Sequence, residues 1–156
     1  MPTPVKRWFL CLVLAGSLAP DISAQSFRDV RPFAIGGMVG PTSGTTFKVT
    51  FEENVDKNHT QSIDLNLTSD FDDYLLGSAH VTRNSPLPDS PMSIFLGPGF
   101  FMGFEGKEAF WGPSTNIGAF FVQTRYEVFF QIMPRIRITP DVRGEFGASV
   151  GMRYLF

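Results

Sequence analysis

Apolar and polar residues alternate with a period of two along most of the chain. That spacing sends successive side chains to opposite faces of a β-strand. The last eleven residues show it most cleanly. Phe146, Ala148, Val150, Met152, Tyr154 and Phe156 share one face, and Gly147, Ser149, Gly151, Arg153 and Leu155 share the other. Tyr126 to Ile138 is nearly as regular, with Tyr126, Val128, Phe130, Ile132, Ile136 and Ile138 opposing Glu127, Gln131, Arg135 and Arg137.

Six further segments complete a set of eight predicted strands. Pro32 to Gly40 sets Phe33, Ile35 and Val39 against Ala34, Gly36, Met38 and Gly40. Thr45 to Glu52 sets Phe47, Val49 and Phe51 against Lys48, Thr50 and Glu52. Gln61 to Ser69 sets Ile63, Leu65 and Leu67 against Asp64, Asn66 and Thr68. Tyr74 to Arg83 sets Leu75, Ala79 and Val81 against Ser78, His80 and Thr82. Met92 to Phe104 sets Met92, Ile94, Leu96, Phe100, Met102 and Phe104 against Ser93, Gly97, Gly99 and Gly103. Pro98 inside that segment cannot donate to a ladder, which predicts a bulge or local kink. Asn116 to Val122 alternates least. Turn composition marks Pro41 to Gly44, Asp70 to Asp73, and Thr139 to Gly144. Glu53 to Thr60 reads as a polar loop, Asn84 to Pro91 as a proline-rich break, and Glu105 to Ala109 as a charged loop.

The N-terminus reads differently. Lys6 and Arg7 precede an apolar run from Trp8 to Ala19, too short to span a bilayer as a helix. Residues 1–24 are expected to be a secretory signal peptide cut before Gln25. Residues 25–156 would then form one domain. Cys11 leaves with the peptide, so the mature chain offers neither a disulfide nor a thiolate metal site. Without Lys6, Arg7 and Asp21, the 13 basic and 15 acidic residues become 11 and 14. This acidic balance excludes a nucleic-acid-binding reading.

Alternating strands fit a soluble β-sandwich, a soluble barrel with its apolar face inward, or a membrane barrel with its apolar face toward lipid. The signal peptide, the terminal aromatic and the aromatic content favour the third: an all-β, closed, antiparallel eight-stranded transmembrane barrel. Phe33, Phe51, Tyr74, Phe104, Tyr126 and Tyr154 near strand ends would form its interfacial girdles. The inward face would carry Lys48, Arg135, Arg137 and Arg153 together with Glu52, Asp64, Glu127 and Glu145. His80 and Gln131 belong to the same expected polar network. Charges enclosed in so narrow a space must pair, and an interior only wide enough for side chains makes a solute-conducting porin unfavourable.

Candidate chemistry is sparse. His80 and Ser78 lie two residues apart on one face, so a hydrolase would use Ser78 as nucleophile and His80 as base, with Asp64 or Glu127 as orienter. A histidine bonded into the lumen network explains the same residues more simply. No His spacing builds a metal site, and no cofactor is expected.

Several segments carry a family resemblance: Gly36 to Gly44, Ile63 to Leu65, Phe95 to Gly99, Glu127 to Pro134, and Gly151 to Phe156. Together they resemble small, largely uncharacterised outer-membrane barrels usually compared with the transmembrane domains of OmpA and OmpX. The resemblance implies that Tyr154 and Phe156 belong to an assembly signal read by the barrel assembly machinery. It also implies outer-membrane lipids as neighbours, and an extracellular host or envelope protein as a partner, since some spirochaete members are thought to bind host complement regulators. Some small barrels of this membrane are lipid A deacylases or acyltransferases. This chain has Ser-x-His where the deacylases have His-x-Ser-Asn. The sequence therefore predicts a non-enzymatic outer-membrane barrel with a structural or surface-interaction role. The alternatives are a lipid-modifying enzyme in the same membrane and a soluble periplasmic β-protein. In an even-stranded barrel with both ends periplasmic, the longer connections, Glu53 to Thr60 and Asn84 to Pro91, would face the periplasm, against the usual length bias.

Overall fold

A computed structural model of the chain describes residues 31–52 and 59–156. The expected signal peptide, most of the polar loop after Glu52, and the Glu52 side chain lie outside the described residues. Eight strands follow in order: β1 (Phe33–Val39), β2 (Ser43–Glu52), β3 (Thr60–Ser69), β4 (Tyr74–Pro86), β5 (Met92–Glu105), β6 (Glu108–Gln123), β7 (Tyr126–Arg137) and β8 (Arg143–Leu155). Each pairs antiparallel with its neighbour in sequence, and β8 pairs with β1 to close a barrel. Closure leaves no sheet edge along the paired length. We call the rim formed by 40–42, 70–73, 106–107 and 138–142 the upper rim. The lower rim holds both ends of the described chain.

The predicted faces hold along the strands whose alternation is clear. Phe33, Ile35 and Val39 point outward while Ala34 and Met38 are buried inside. Val150 and Met152 are half exposed, whereas Arg153 between Met152 and Tyr154 is 1% exposed. The register explains how this works: Lys48 sits opposite Asp64, Asp64 opposite His80, and Glu127 opposite Arg153, so inward residues line up across strands.

Strand bounds differ from expectation in specific places. β4 runs on through Asn84 to Pro86, because Asn84 turns inward and donates to Thr60 Oγ1 (3.1 Å) and Ser62 Oγ (3.0 Å). The break is therefore confined to 87–91. β6 begins at Glu108 rather than Asn116. Its first half hides from a hydropathy pattern because Phe110 points in and Trp111 points out. The charged loop shrinks to Gly106 and Lys107, where Gly106 has φ +61°. A glycine at positive φ in the first central position is the pattern of a two-residue type II′ hairpin. β2 and β8 each start within a predicted turn, at Ser43 and Arg143. Pro98 makes no bulge. Pairing with β4 lapses beside it, but His80–Gly99 and Arg83–Leu96 keep one register on either side, so no residue is inserted. In the β3–β4 turn, Asp70 Oδ1 accepts the amides of Asp72 and Tyr74, both at 3.0 Å. Those bonds hold its carboxyl below the ordinary value.

The interior is not uniformly polar, which corrects the expectation of a purely polar lumen. Met38, Phe95, Phe120 and Phe129 form one buried apolar cluster. Leu76, Phe101, Phe110 and Met133 form another toward the upper rim. These rings fit because glycines face them. A Cβ on Gly118 would overlap the Phe95 ring, and one on Gly151 would overlap the Phe129 ring. Tyr74 also turns inward, stacking on Phe110 with centroids 5.4 Å apart, so it is not a girdle residue.

Gly151→Val should therefore cost about 1–3 kcal/mol through overpacking. Gly147→Val, whose Cβ would meet only Met133 and at ordinary contact distance, should cost far less. Denaturant titration of the folded barrel measures both.

Candidate functional site

Lumen charges gather into two networks. The central one joins five strands. Arg153 on β8 donates from Nη1 to Glu127 Oε1 on β7 at 2.7 Å and from Nη2 to Thr46 Oγ1 on β2 at 2.7 Å. It also pairs with Asp64 Oδ1 on β3 at 3.1 Å. Lys48 Nζ meets Glu127 Oε2 at 2.9 Å. Thr82 Oγ1 donates to Asp64 Oδ2 at 2.6 Å. Two cations face two carboxylates, all at most 3% exposed, so the cluster is neutral as burial demands. Aromatic faces complete it: Arg153 lies 4.0 Å from the Phe129 centroid and Lys48 4.1 Å from that of Phe120.

The second network lines the upper rim. Glu145 accepts from Arg135 Nε (2.8 Å) and Arg143 Nε (3.0 Å), and Arg137 Nε lies 2.7 Å from its Oε1. That last contact is an ion pair without hydrogen-bond alignment, since Arg137 Nε has no hydrogen-bond partner. Glu105 accepts from Arg137 Nη1 (2.8 Å) and Arg143 Nη2 (3.5 Å). Arg135 Nη2 donates to the Tyr74 hydroxyl at 2.9 Å. A cleft of about 290 Å³ opens beside these groups.

Of the residues singled out in the sequence, Lys48, Asp64, Glu127 and Arg153 come together in the centre, and Arg135, Arg137 and Glu145 at the rim. Arg143, Glu105, Thr46 and Tyr74 join them, although composition had assigned the first two to loops and Tyr74 to the surface. Gln131 is separate, accepting from Asn116 at 3.2 Å. At the C-terminus, the Tyr154 hydroxyl accepts from Arg125 at 3.0 Å, its ring packs on Tyr126 and Phe156, and the Phe156 amide donates to Phe33 O at 2.9 Å.

The Ser78–His80 pair does not form. His80 Nε2 is 2.8 Å from Ser114 Oγ on β6, while Ser78 Oγ accepts a long 3.4 Å bond from Asn66. Side chains two apart on a strand run parallel, so a facing strand reaches the ring first. Neither proposed orienter touches the imidazole: Asp64 and Glu127 are bound to cations, and His80 Nδ1 has no partner. His80, Gln131, Glu127 and Asn116 are all under 2% exposed. These side chains fill the lumen at the level of His80. Among the described residues no cluster of three or more His, Cys, Asp or Glu could hold a metal.

Glu127→Ala should cost about 3–5 kcal/mol, because Lys48 and Arg153 would be left buried with one carboxylate. Lys48→Met combined with Glu127→Leu should cost clearly less, since the Arg153–Asp64 pair stays balanced. Denaturant titration of the single and double variants measures the difference.

No protein-family model, curated protein or solved structure matches the chain, so its function is argued from the lumen and the outer wall themselves.

Proposed function

We propose that the chain is a non-enzymatic outer-membrane β-barrel with a structural or surface-interaction role. The outer wall carries the argument. Between the rims, the outward positions of the described strands bear mostly Phe, Ile, Leu, Val, Met, Trp and Tyr; Thr45, Gln61 and Thr115 are polar, and Arg83 is the one charged side chain among them. Phe33, Ile35, Leu67, Leu96, Phe100, Met102, Phe130, Ile136, Val150 and Met152 are each 40–60% exposed. Patches this extensive on a water-soluble monomer are exceptional. The charges meanwhile lie inside, the inverse of a soluble barrel. An apolar wall on a closed ladder is the arrangement a bilayer accepts.

Aromatic residues ring both ends, with Phe33, Phe51, Tyr126 and Tyr154 below and Phe104, Trp111 and Phe146 above. The expected signal peptide and assembly signal fit delivery to the outer membrane, with lipids and the barrel assembly machinery as partners. The described connections are short at both rims, and none is long at the upper one. A host or envelope protein would find little loop surface there, which favours the structural role.

Lipid-modifying chemistry is the second reading, and the Ser114–His80 contact is what favours it. Its burial argues against turnover. His80→Ala should leave the acyl pattern of lipid A unchanged; a wild-type-dependent acyl change that disappears in the variant would establish the enzyme instead.

Spin labels in reconstituted bilayers test the membrane reading itself. Labels at Phe146, Ala148, Val150 and Met152 should be accessible to a lipid-soluble relaxation agent, and labels at Gly147, Ser149 and Gly151 should not. A soluble periplasmic protein would show lipid contact in neither set. Val150→Arg should cost roughly 2–4 kcal/mol if that position lies at mid-bilayer.

A further inference from the structure

The barrel wall is uneven where it closes. β1 ends at Val39, paired with Val150, but β8 continues up to Arg143. From Ser149 to Arg143 it is paired with β7 alone. This leaves a notch at the upper rim, between the free edge of β8 and the turn at Pro41 and Thr42. The rim cleft opens there: Pro41 and Thr42 line it, and so do residues from both faces of β8, Phe146 to Ser149.

The cleft is rich in unused donors. Three guanidiniums share two carboxylates in the rim network. Among the described residues, Arg135 Nη1, Arg137 Nη2 and Arg143 Nη1 meet no acceptor. On the floor, Gln131 Nε2 and Ser149 Oγ reach only the Met38 sulfur, at 3.5 and 3.7 Å, a weak acceptor. Thr68 Oγ1, on a side chain 5% exposed, has no partner. Of the three acids lining the cleft, Glu105 and Glu145 are bound to arginines, and Asp70 holds the turn amides. A group with several acceptor oxygens and negative charge complements this wall.

Just below the notch, on the outer wall, lies an apolar groove of about 770 Å³. Gly37 and Thr45 make its shallow floor, with Val39, Val150 and Met152 on one side and Leu67 on the other. Ala148 on the outer face of β8 lines the cleft and Val150, the next residue on that face, lines the groove, so the two adjoin there.

The geometry points to a binding site for an anionic phospholipid, its phosphate entering through the notch onto Arg135 and Arg143 and one acyl chain lying along the Gly37–Thr45 groove. This rests on the membrane reading above. The occupant is a lipid rather than a soluble phosphate ester because the polar and apolar halves adjoin along the outer face of β8. Arg143, half exposed at the mouth, guides the headgroup. Gly37 leaves the groove open, since a Cβ there would meet only Gly44 O, at 3.7 Å.

The full chain should be reconstituted in phosphatidylcholine vesicles containing a minor share of phosphatidylglycerol, extracted in neutral detergent, and weighed with its retained lipid by mass spectrometry. Phosphatidylglycerol should be enriched roughly tenfold over its share, the ratio that one charge-assisted contact confers. Arg143→Gln should return retention to the vesicle composition, and Arg143→Lys should restore part of it. Gly37→Leu should also abolish enrichment while leaving the heat-modifiable gel shift intact. Wild-type retention matching the vesicle composition overturns the proposal while the membrane reading stands. So does enrichment that glycerol phosphate removes and Gly37→Leu leaves unchanged, which marks a headgroup-only site. Loss of lipid contact at the Val150 label overturns the membrane reading and this proposal with it.

Discussion

Arg153 holds the closure together from inside. It sits on the last strand, and its guanidinium bonds to Thr46, Asp64 and Glu127 on three other strands while its face covers Phe129. A charge this deeply buried is tolerable only when its partners are all in place. The central network is therefore complete or costly, with little between. Strand pairing alone would accept a slipped β8. A slip by one residue would turn Arg153 into the outer wall and Met152 into the lumen. The ladder supplies the cohesion, and the buried ions specify its register.

The interior divides by sector. β2, β3 and β4 present hydroxyls, amides and charges, whereas β5, β6 and β7 supply most of the rings: Phe95, Phe101, Phe110, Phe120 and Phe129. Cations from the first sector and from β8 rest on rings of the second, as Lys48 does on Phe120. The filling is thus amphipathic across its diameter. Hydroxyl pairs such as Ser62 with Thr82, 2.8 Å apart, tie neighbouring strands on the polar side, and on the other side glycines make way for rings.

How much of this the sequence reveals follows from what a period of two can encode. It encodes the face of each residue, so Lys48, Asp64, Glu127 and Arg153 could be placed in one interior before any pairing was known. It does not encode register. That is why the sequence pairs His80 with Ser78, its neighbour along the strand, when Ser114 two strands away is its partner. Nor does it give the face of a phenylalanine where apolar residues stand on both sides of the strand. The run Glu108 to Thr115 shows no alternation for this reason, with Phe110 and Trp111 on opposite faces and Pro113 discouraging a strand. Arg143 and Glu105 look like loop residues in the sequence because charge at a strand end resembles a turn until its ion partners are seen.

The staves of this barrel are of unequal height. β1 has 7 residues, and β6, across the barrel, has 16. At roughly 3.3 Å per residue, the two strands differ by about 30 Å along their length, more than side-chain adjustment can hide. For a barrel seated in lipid, the leaflet beside β1 must thin or the whole cylinder must lean, each at a modest cost per ångström of mismatch. The molecule would then deform its surroundings in one direction only, and lipid would meet a fixed dip along the β1–β8 seam wherever the barrel turns.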